Sequence, residues 1–152
     1  MTVGYQGKAS ALQQYGQVGV QSGVACATPH RLIQMLFDGA LDKLALARGH
    51  MQRGEVALKG SHIGWVISII DGLRMSLDKE TGGEIAQNLD ALYGYMQLRL
   101  LRANLDNDVE ILSEVSTLLR TIKDAWDQIP AEFRNTPHAV SEALAAATAA
   151  TR

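Results

Sequence analysis

Four histidines, one cysteine and 16 carboxylates are the side chains in this 152-residue sequence that could hold a metal or move a proton, and their spacing decides whether they do. His30, His50, His62 and His138 fall in no His-Glu-x-x-His or Glu-x-x-His pattern, and the lone Cys26 cannot build a structural zinc site. Neither a metal nor a cofactor is expected. His30, near a helix start, and His50, near a helix end, are expected to be exposed. Asp38, Asp42, Asp71, Asp90 and Glu114 are dispersed along polar faces or at element edges, so no two stand out as an acid and base in one pocket. The glycine-rich "TGGE" lacks both the Lys-Ser/Thr of a P-loop and a preceding strand, and reads as a turn. No catalytic residue is expected. The pattern points to an interaction protein rather than an enzyme.

The composition narrows the partners. A net charge of -2, from 14 basic and 16 acidic residues interspersed along the chain, lacks the electrostatic footprint of a nucleic-acid binder or a membrane-surface patch. The longest apolar run, "WVISII", is far too short to span a bilayer, and no charged region leads into an apolar one at the N-terminus. A single cysteine fits a reducing compartment. The expectation is a cytoplasmic protein that neither binds nucleic acid nor inserts directly into a membrane.

The elements available to position side chains are helices. Residues 1–27 hold five glycines among Gln, Ser and Val, which predicts a flexible N-terminal arm. Thr28 as N-cap and Pro29 at the first helical position then open a helix whose Ile33, Phe37, Ala40, Leu44, Ala47 and Met51 share one face. After "RGEVALKG" a second helix runs through "SHIGWVISIIDGLRMSLD", with Ile63, Val66, Ile70, Leu73 and Leu77 as its seam. The third, from Gly82, places Ile85, Leu89, Leu92, Met96, Leu100 and Ala103 inward, with Asn104 as its stop and Asp106 or Asp108 as the next N-cap. The fourth aligns Ile111, Val115, Leu118, Ile122, Ala125 and Ile129 before Pro130. Four helices of about 30 Å with short links predict an all-α, antiparallel up-down-up-down four-helix bundle over residues 28–130. The Ala-rich remainder, 131–152, is expected to be a disordered C-terminal tail.

Three of these helices carry more apolar residues than one seam uses. On the third, Leu98, Leu101 and Leu105 stand at i, i+3 and i+7, nearly opposite its core line. The second offers Trp65 and Ile69 on its flank beside Ser68, Gly72 and Ser76, large next to small, as in a groove. The first adds Leu32, Met35, Gly39 and Leu46 away from its inward face. Either a terminal segment covers these faces or a partner helix lies in them, because a monomer rarely leaves apolar patches above a few hundred Å² open to water.

"ATPHRLIQMLFDGAL", "ETGGEIAQNLDALYGYMQLRL" with "ANLDND", and "EVSTLLRTIKDAW", in this order and spacing, resemble the flagellin export chaperones of the FliS family over about residues 15–129. The resemblance implies an antiparallel four-helix bundle in the cytoplasm that binds the disordered C-terminal segment of flagellin. It also implies a block on premature polymerisation before type III export, and a contact with an export-gate component. A tyrosine-bearing arm belongs to the same pattern; Tyr15 in "QQYGQVGV" matches it best and Tyr5 competes, although the "GQVGVQSGVACA" connector is longer than in many relatives. The expected partner-binding residues are thus Tyr15, Leu32, Met35, Leu46, Trp65, Ile69, Leu98, Leu101 and Leu105 on a monomer or weak dimer. The alternative is a self-associating structural bundle whose second seams form a homodimer.

Overall fold

At Thr28 the backbone is extended and the side-chain hydroxyl accepts a hydrogen bond from the Arg31 amide at 3.1 Å, which with Pro29 begins α1 (Pro29–Gln52). In this computed structural model, which describes residues 27–133, α2 (Val56–Met75), α3 (Gly83–Asp106), α4 (Val109–Asp127) and a short 3-10 turn (Ala131–Phe133) follow. The expected arm before Ala27 and most of the expected tail lie outside the described residues.

Local chemistry sets each boundary, and two differ from expectation. α2 begins at Val56, ahead of the "SHIG" start read from the sequence, because Gly54 adopts the left-handed φ of 72° that turns the chain straight into the next helix. α3 does not stop at Asn104: it continues to Asp106, and Asn107 provides the left-handed stop at φ 50°. Asp108 then caps α4, its carboxylate accepting from the amides of Glu110 (2.9 Å) and Ile111 (3.4 Å).

Each helix packs against its chain neighbours and α4 closes back onto α1. Contacts between helix ends fix the directions. Residue His30 of the first turn of α1 meets Trp126 in the last turn of α4, Lys59 at the start of α2 reaches the end of α3, and Arg74 at the end of α2 pairs with Asp90 near the start of α3. The bundle is therefore antiparallel, up-down-up-down, as the short links require.

The core is built from Phe37, Ala40, Leu44 and Ala47 of α1, Ile63, Val66, Ile70 and Leu73 of α2, Met96, Leu100 and Ala103 of α3, and Leu112, Val115 and Leu119 of α4. Full burial of a side chain such as Leu44 or Ile70 is worth about 1.5–3 kcal/mol. Along α4 the buried line is rotated from the expected one: Leu112 and Leu119 face inward, while Leu118, Ile122 and Ala125 are half-buried. Tyr93 of α3 is a core residue, and the expected Ile85, Leu89 and Leu92 are half-buried.

Two histidines expected at the surface are packed instead. His30 is 2% exposed: its ring stacks on Trp126 (centroids 5.2 Å apart, planes 7° from parallel), and its Nε2 donates to the Trp126 carbonyl at 2.8 Å. The Trp126 indole returns a bond to the His30 carbonyl at 3.0 Å. His50 is half-buried and stacks on His62 at 5.0 Å across the α1–α2 interface. Lys59 is also buried; its ammonium donates to the Asn104 carbonyl (3.0 Å) and to the Asn107 side chain, placing a cation at the negative end of the α3 dipole.

Candidate partner-binding surface

α3 turns about 100° per residue, so with Leu100 and Ala103 in the core its outer side is occupied by Leu98, Leu101 and Leu105. Their exposures are 69%, 51% and 76%, high for leucines that share one helix face. Val56 and Leu58, both exposed, begin α2 at the end of the bundle where α3 finishes, close to the Lys59–Asn107 contact. Sequence reasoning missed this pair because it read "EVALKG" as a loop, and the Lys59 and Gly60 that follow interrupt any apolar helical run there.

A polar lattice between α2 and α3 holds this face in register. Arg74 donates to both carboxylate oxygens of Asp90 (2.8 and 3.3 Å) and to Gln97 (3.0 Å). Gln97 in turn donates to the Ile67 carbonyl (3.1 Å) and to Asp71 (2.8 Å). Gly94 leaves room for the Arg74 guanidinium, which would stand 3.4 Å from a Cβ there. The Arg74 guanidinium, with Lys79, holds the Asp90 carboxyl below its ordinary range. On the other side of α3, Tyr95 (2.7 Å) and Arg99 (3.1 Å) donate to Glu114 of α4, and both keep its carboxyl ionised by the same logic. Asp90 and Glu114 are thus fixed ion-pair partners that anchor the helix presenting the leucines. No group of three or more metal-ligating side chains converges among the described residues.

The remaining expected contact residues divide. Leu32 and Leu46 of α1 are exposed, but they lie about 21 Å apart along the axis and do not form one groove. Met35 is half-buried. Trp65 is half-buried against the core, with the Lys43 ammonium 5.0 Å from its ring centroid. Ile69 corrects the expectation: at 5% exposure it is a core residue, not part of an open flank. Its burial follows from the three-residue link between α1 and α2, which keeps the two helices side by side and lets α1 cover that flank; Leu36 reaches to within 3.9 Å of a Cβ position on Gly72 one turn away. Tyr15 lies outside the described residues. Met75 (85% exposed) and Tyr95 (45%) are further exposed apolar side chains that the seam analysis passed over.

At the opposite end, where α1 begins and α4 stops, the four helices frame a cavity of about 270 Å³ lined chiefly by apolar side chains, including Leu32, Leu77, Ile85, Ile122 and Trp126. This opening explains why Ile85 and Leu89 stay half-buried. No described helix is long and apolar enough to cross a membrane.

The class the fold defines is an antiparallel four-helix bundle with an exposed leucine seam on a braced helix. Comparison with known proteins gives the family. The model of the flagellar protein FliS matches residues 11–132. The flagellar secretion chaperone FliSB of Pseudomonas aeruginosa is 53% identical over 119 residues, covering 78% of this chain and 94% of its own length. The flagellar secretion chaperone FliS of Salmonella typhimurium is 52% identical over 122 residues (80% and 90%), and that of Bacillus subtilis 31% over 118 residues (78% and 87%). The chain belongs to the FliS family.

Proposed function

We propose that this protein is a cytoplasmic export chaperone that binds the disordered C-terminal region of flagellin, prevents its premature polymerisation and supports its delivery to the flagellar type III export apparatus. The observation that carries the reading is the exposed Leu98, Leu101 and Leu105 seam on the braced α3 of a FliS-family bundle. Leu32, Leu46, Met35 and Trp65 extend the contact around the bundle, and Tyr15 adds to it from an N-terminal arm formed by residues 1–27. A component of the export gate is the second partner, met once flagellin is bound.

The magnitudes favour a long contact. Ordering a disordered segment costs about 1–2 kcal/mol per residue in backbone entropy, so one shallow pocket cannot hold it. Burial on the order of 1,000–3,000 Å² at about 25 cal/mol per Å² reaches the same order as that cost for a segment of roughly 20–40 residues. Seams on several sides of the bundle suit such a wrapped partner, and while wrapped its helical apolar positions are withheld from filament contacts.

Titration calorimetry with flagellin and with flagellin lacking its C-terminal region tests the reading. The expected result is one-to-one binding with a large negative heat-capacity change for the intact partner, and loss of binding for the truncated one. Equal affinity for both overturns it. Self-association of the chaperone through the same seams is the competing outcome, seen as a concentration-dependent sedimentation coefficient without flagellin.

A further inference from the structure

The cavity at the end of the bundle has a polar feature that its apolar walls do not match. Tyr93 lines it and is 3% exposed, and its hydroxyl forms no hydrogen bond among the described residues. The other polar side chains along it are engaged. Ser76 donates to the Leu73 carbonyl at 2.6 Å, the Asp78 carboxylate accepts from the amides of Glu80 (3.2 Å) and Thr81 (3.1 Å), and the Trp126 indole bonds the His30 carbonyl. Burial pushes the ionisation of the Tyr93 phenol well up, so it stays neutral and can both donate and accept. An apolar cavity of about 150 Å³ already takes a benzene ring. This one, at about 270 Å³, has room for a larger ring. A group that completes it therefore brings a large apolar side chain with one hydrogen-bonding atom, as an indole does.

The charges around this end are of one sign. Exposed Glu80 and Glu84 stand in and after the α2–α3 turn, beside the cavity residues Asp78 and Ile85; Asp124 lies between Ile122 and Trp126 on α4, and Glu132 follows in the 3-10 turn. None of these four carboxylates takes an ion pair among the described residues. The cations nearby are already committed: Arg74 and Lys79 to Asp90, and Lys123 to Asp38 and Asp127. Arg31, bonded to Gln34, is the remaining described cation at this end. Toward the other end, by contrast, charges pair off, Arg53 with Glu55, Arg99 with Glu114 and Arg102 with Asp106. Like charges left around an apolar opening favour a partner that brings cations.

We propose that the end cavity is a separate docking site for a basic helical peptide segment, which seats one tryptophan against Tyr93 and sets lysines or arginines of its adjacent turns against Glu80, Glu84, Asp124 and Glu132. The anchor displaces water that the apolar walls cannot bond, and its indole N–H gives the Tyr93 oxygen the partner it lacks. Exposed ion pairs are individually weak, so the acidic rim adds little to affinity; it speeds the encounter and selects the sign of the partner's charge. The leucine seam lies toward the other end of α3, and this site stands independently of the flagellin reading.

Fluorescence anisotropy of labelled, alanine-based synthetic peptides with the full-length chain tests the site. One peptide carries a central Trp with Lys a turn away on either side, a second has Glu in place of Lys, and a third has Ala in place of Trp. The first is expected to bind at least about tenfold tighter than either of the others, and to weaken several-fold between about 50 and about 300 mM salt. Glu80→Gln/Glu84→Gln/Asp124→Asn is expected to lower its affinity several-fold at an unchanged melting temperature, and Tyr93→Phe to lower it several-fold as well. Leu89→Trp, which fills the cavity from its own wall, is expected to abolish binding while helical circular dichroism persists. Leu98→Ser/Leu105→Ser is expected to leave binding unchanged. Equal binding of the Lys and Glu peptides overturns the proposal, as does full binding by a folded Leu89→Trp variant. Loss of binding in Leu98→Ser/Leu105→Ser overturns it too, by moving the peptide to the leucine seam.

Discussion

Replacing Leu98 and Leu105 together by Ser separates binding from folding on a single helix. At 69% and 76% exposure, each has only about a quarter to a third of its surface against the bundle, and full burial of a leucine is worth about 1.5–3 kcal/mol. The pair together then contributes about 1–1.5 kcal/mol to folding, and the double variant should lose no more than about 8 °C in Tm. Leu100→Ser, two residues from Leu98 on the inward side of the helix and at 0% exposure, removes a fully packed side chain and puts a hydroxyl in the core. It should cost several kcal/mol. In a complex that covers the seam, the surface still open on Leu98 and Leu105 becomes buried, a further ~2–4 kcal/mol. Affinity for the C-terminal region of flagellin should therefore fall at least about tenfold in the double variant. Scanning calorimetry and titration calorimetry on the same preparations read both quantities. A melting temperature that drops as far as that of Leu100→Ser would show the seam to be packed in the free chain. Unchanged affinity with an unchanged melting temperature would remove α3 from the interface.

Three further outcomes test other parts of the structure. Ile69→Ser should destabilise the free protein by about 2–5 kcal/mol in urea unfolding, as a core position does; a loss below about 1 kcal/mol would return Ile69 to the surface. Lys59→Met keeps the stem but leaves the Asn104 carbonyl and the Asn107 side chain without the ammonium, and should cost about 1–3 kcal/mol, with amide exchange accelerating first at the end of α3; uniform acceleration would contradict a capping role. Burial, the Lys43 ammonium and the stacked His50 hold the His62 imidazole below its ordinary pKa of 6.5, so the unfolded chain binds this proton more readily. Its contribution is complete above that value and is lost as the pH falls through the lower folded pKa, with Arg53 and Glu55 also facing the pair through His50. The urea midpoint should drop on acidification from about pH 7.5 to about pH 5.5, and less steeply in His62→Gln; identical slopes would exclude His62 as the source.

What the sequence determined by itself is what lies within one helix. Thr28 and Pro29 start α1 through a side-chain bond three residues long, and Asp108 caps α4 in the same way; neither needs a neighbouring helix. Leu98, Leu101 and Leu105 face away from Leu100 because a fixed turn per residue places them there. Which of a helix's remaining directions face protein was decided only by the tertiary structure, since periodicity assigns an angle on a cylinder and says nothing of what stands at that angle. Ile69 and Leu98 both lie off their core lines, and only Ile69 is buried, because α1 lies along its flank and nothing described covers the outside of α3. His30 is enclosed because Trp126, 96 residues later, stacks on it from the last turn of α4. Lys59 is tolerated in the interior because the antiparallel pairing delivers the carbonyl end of α3 to its ammonium. The end cavity has no signature at any single position, for it exists only where the termini of four helices converge and their side chains stop short of one another.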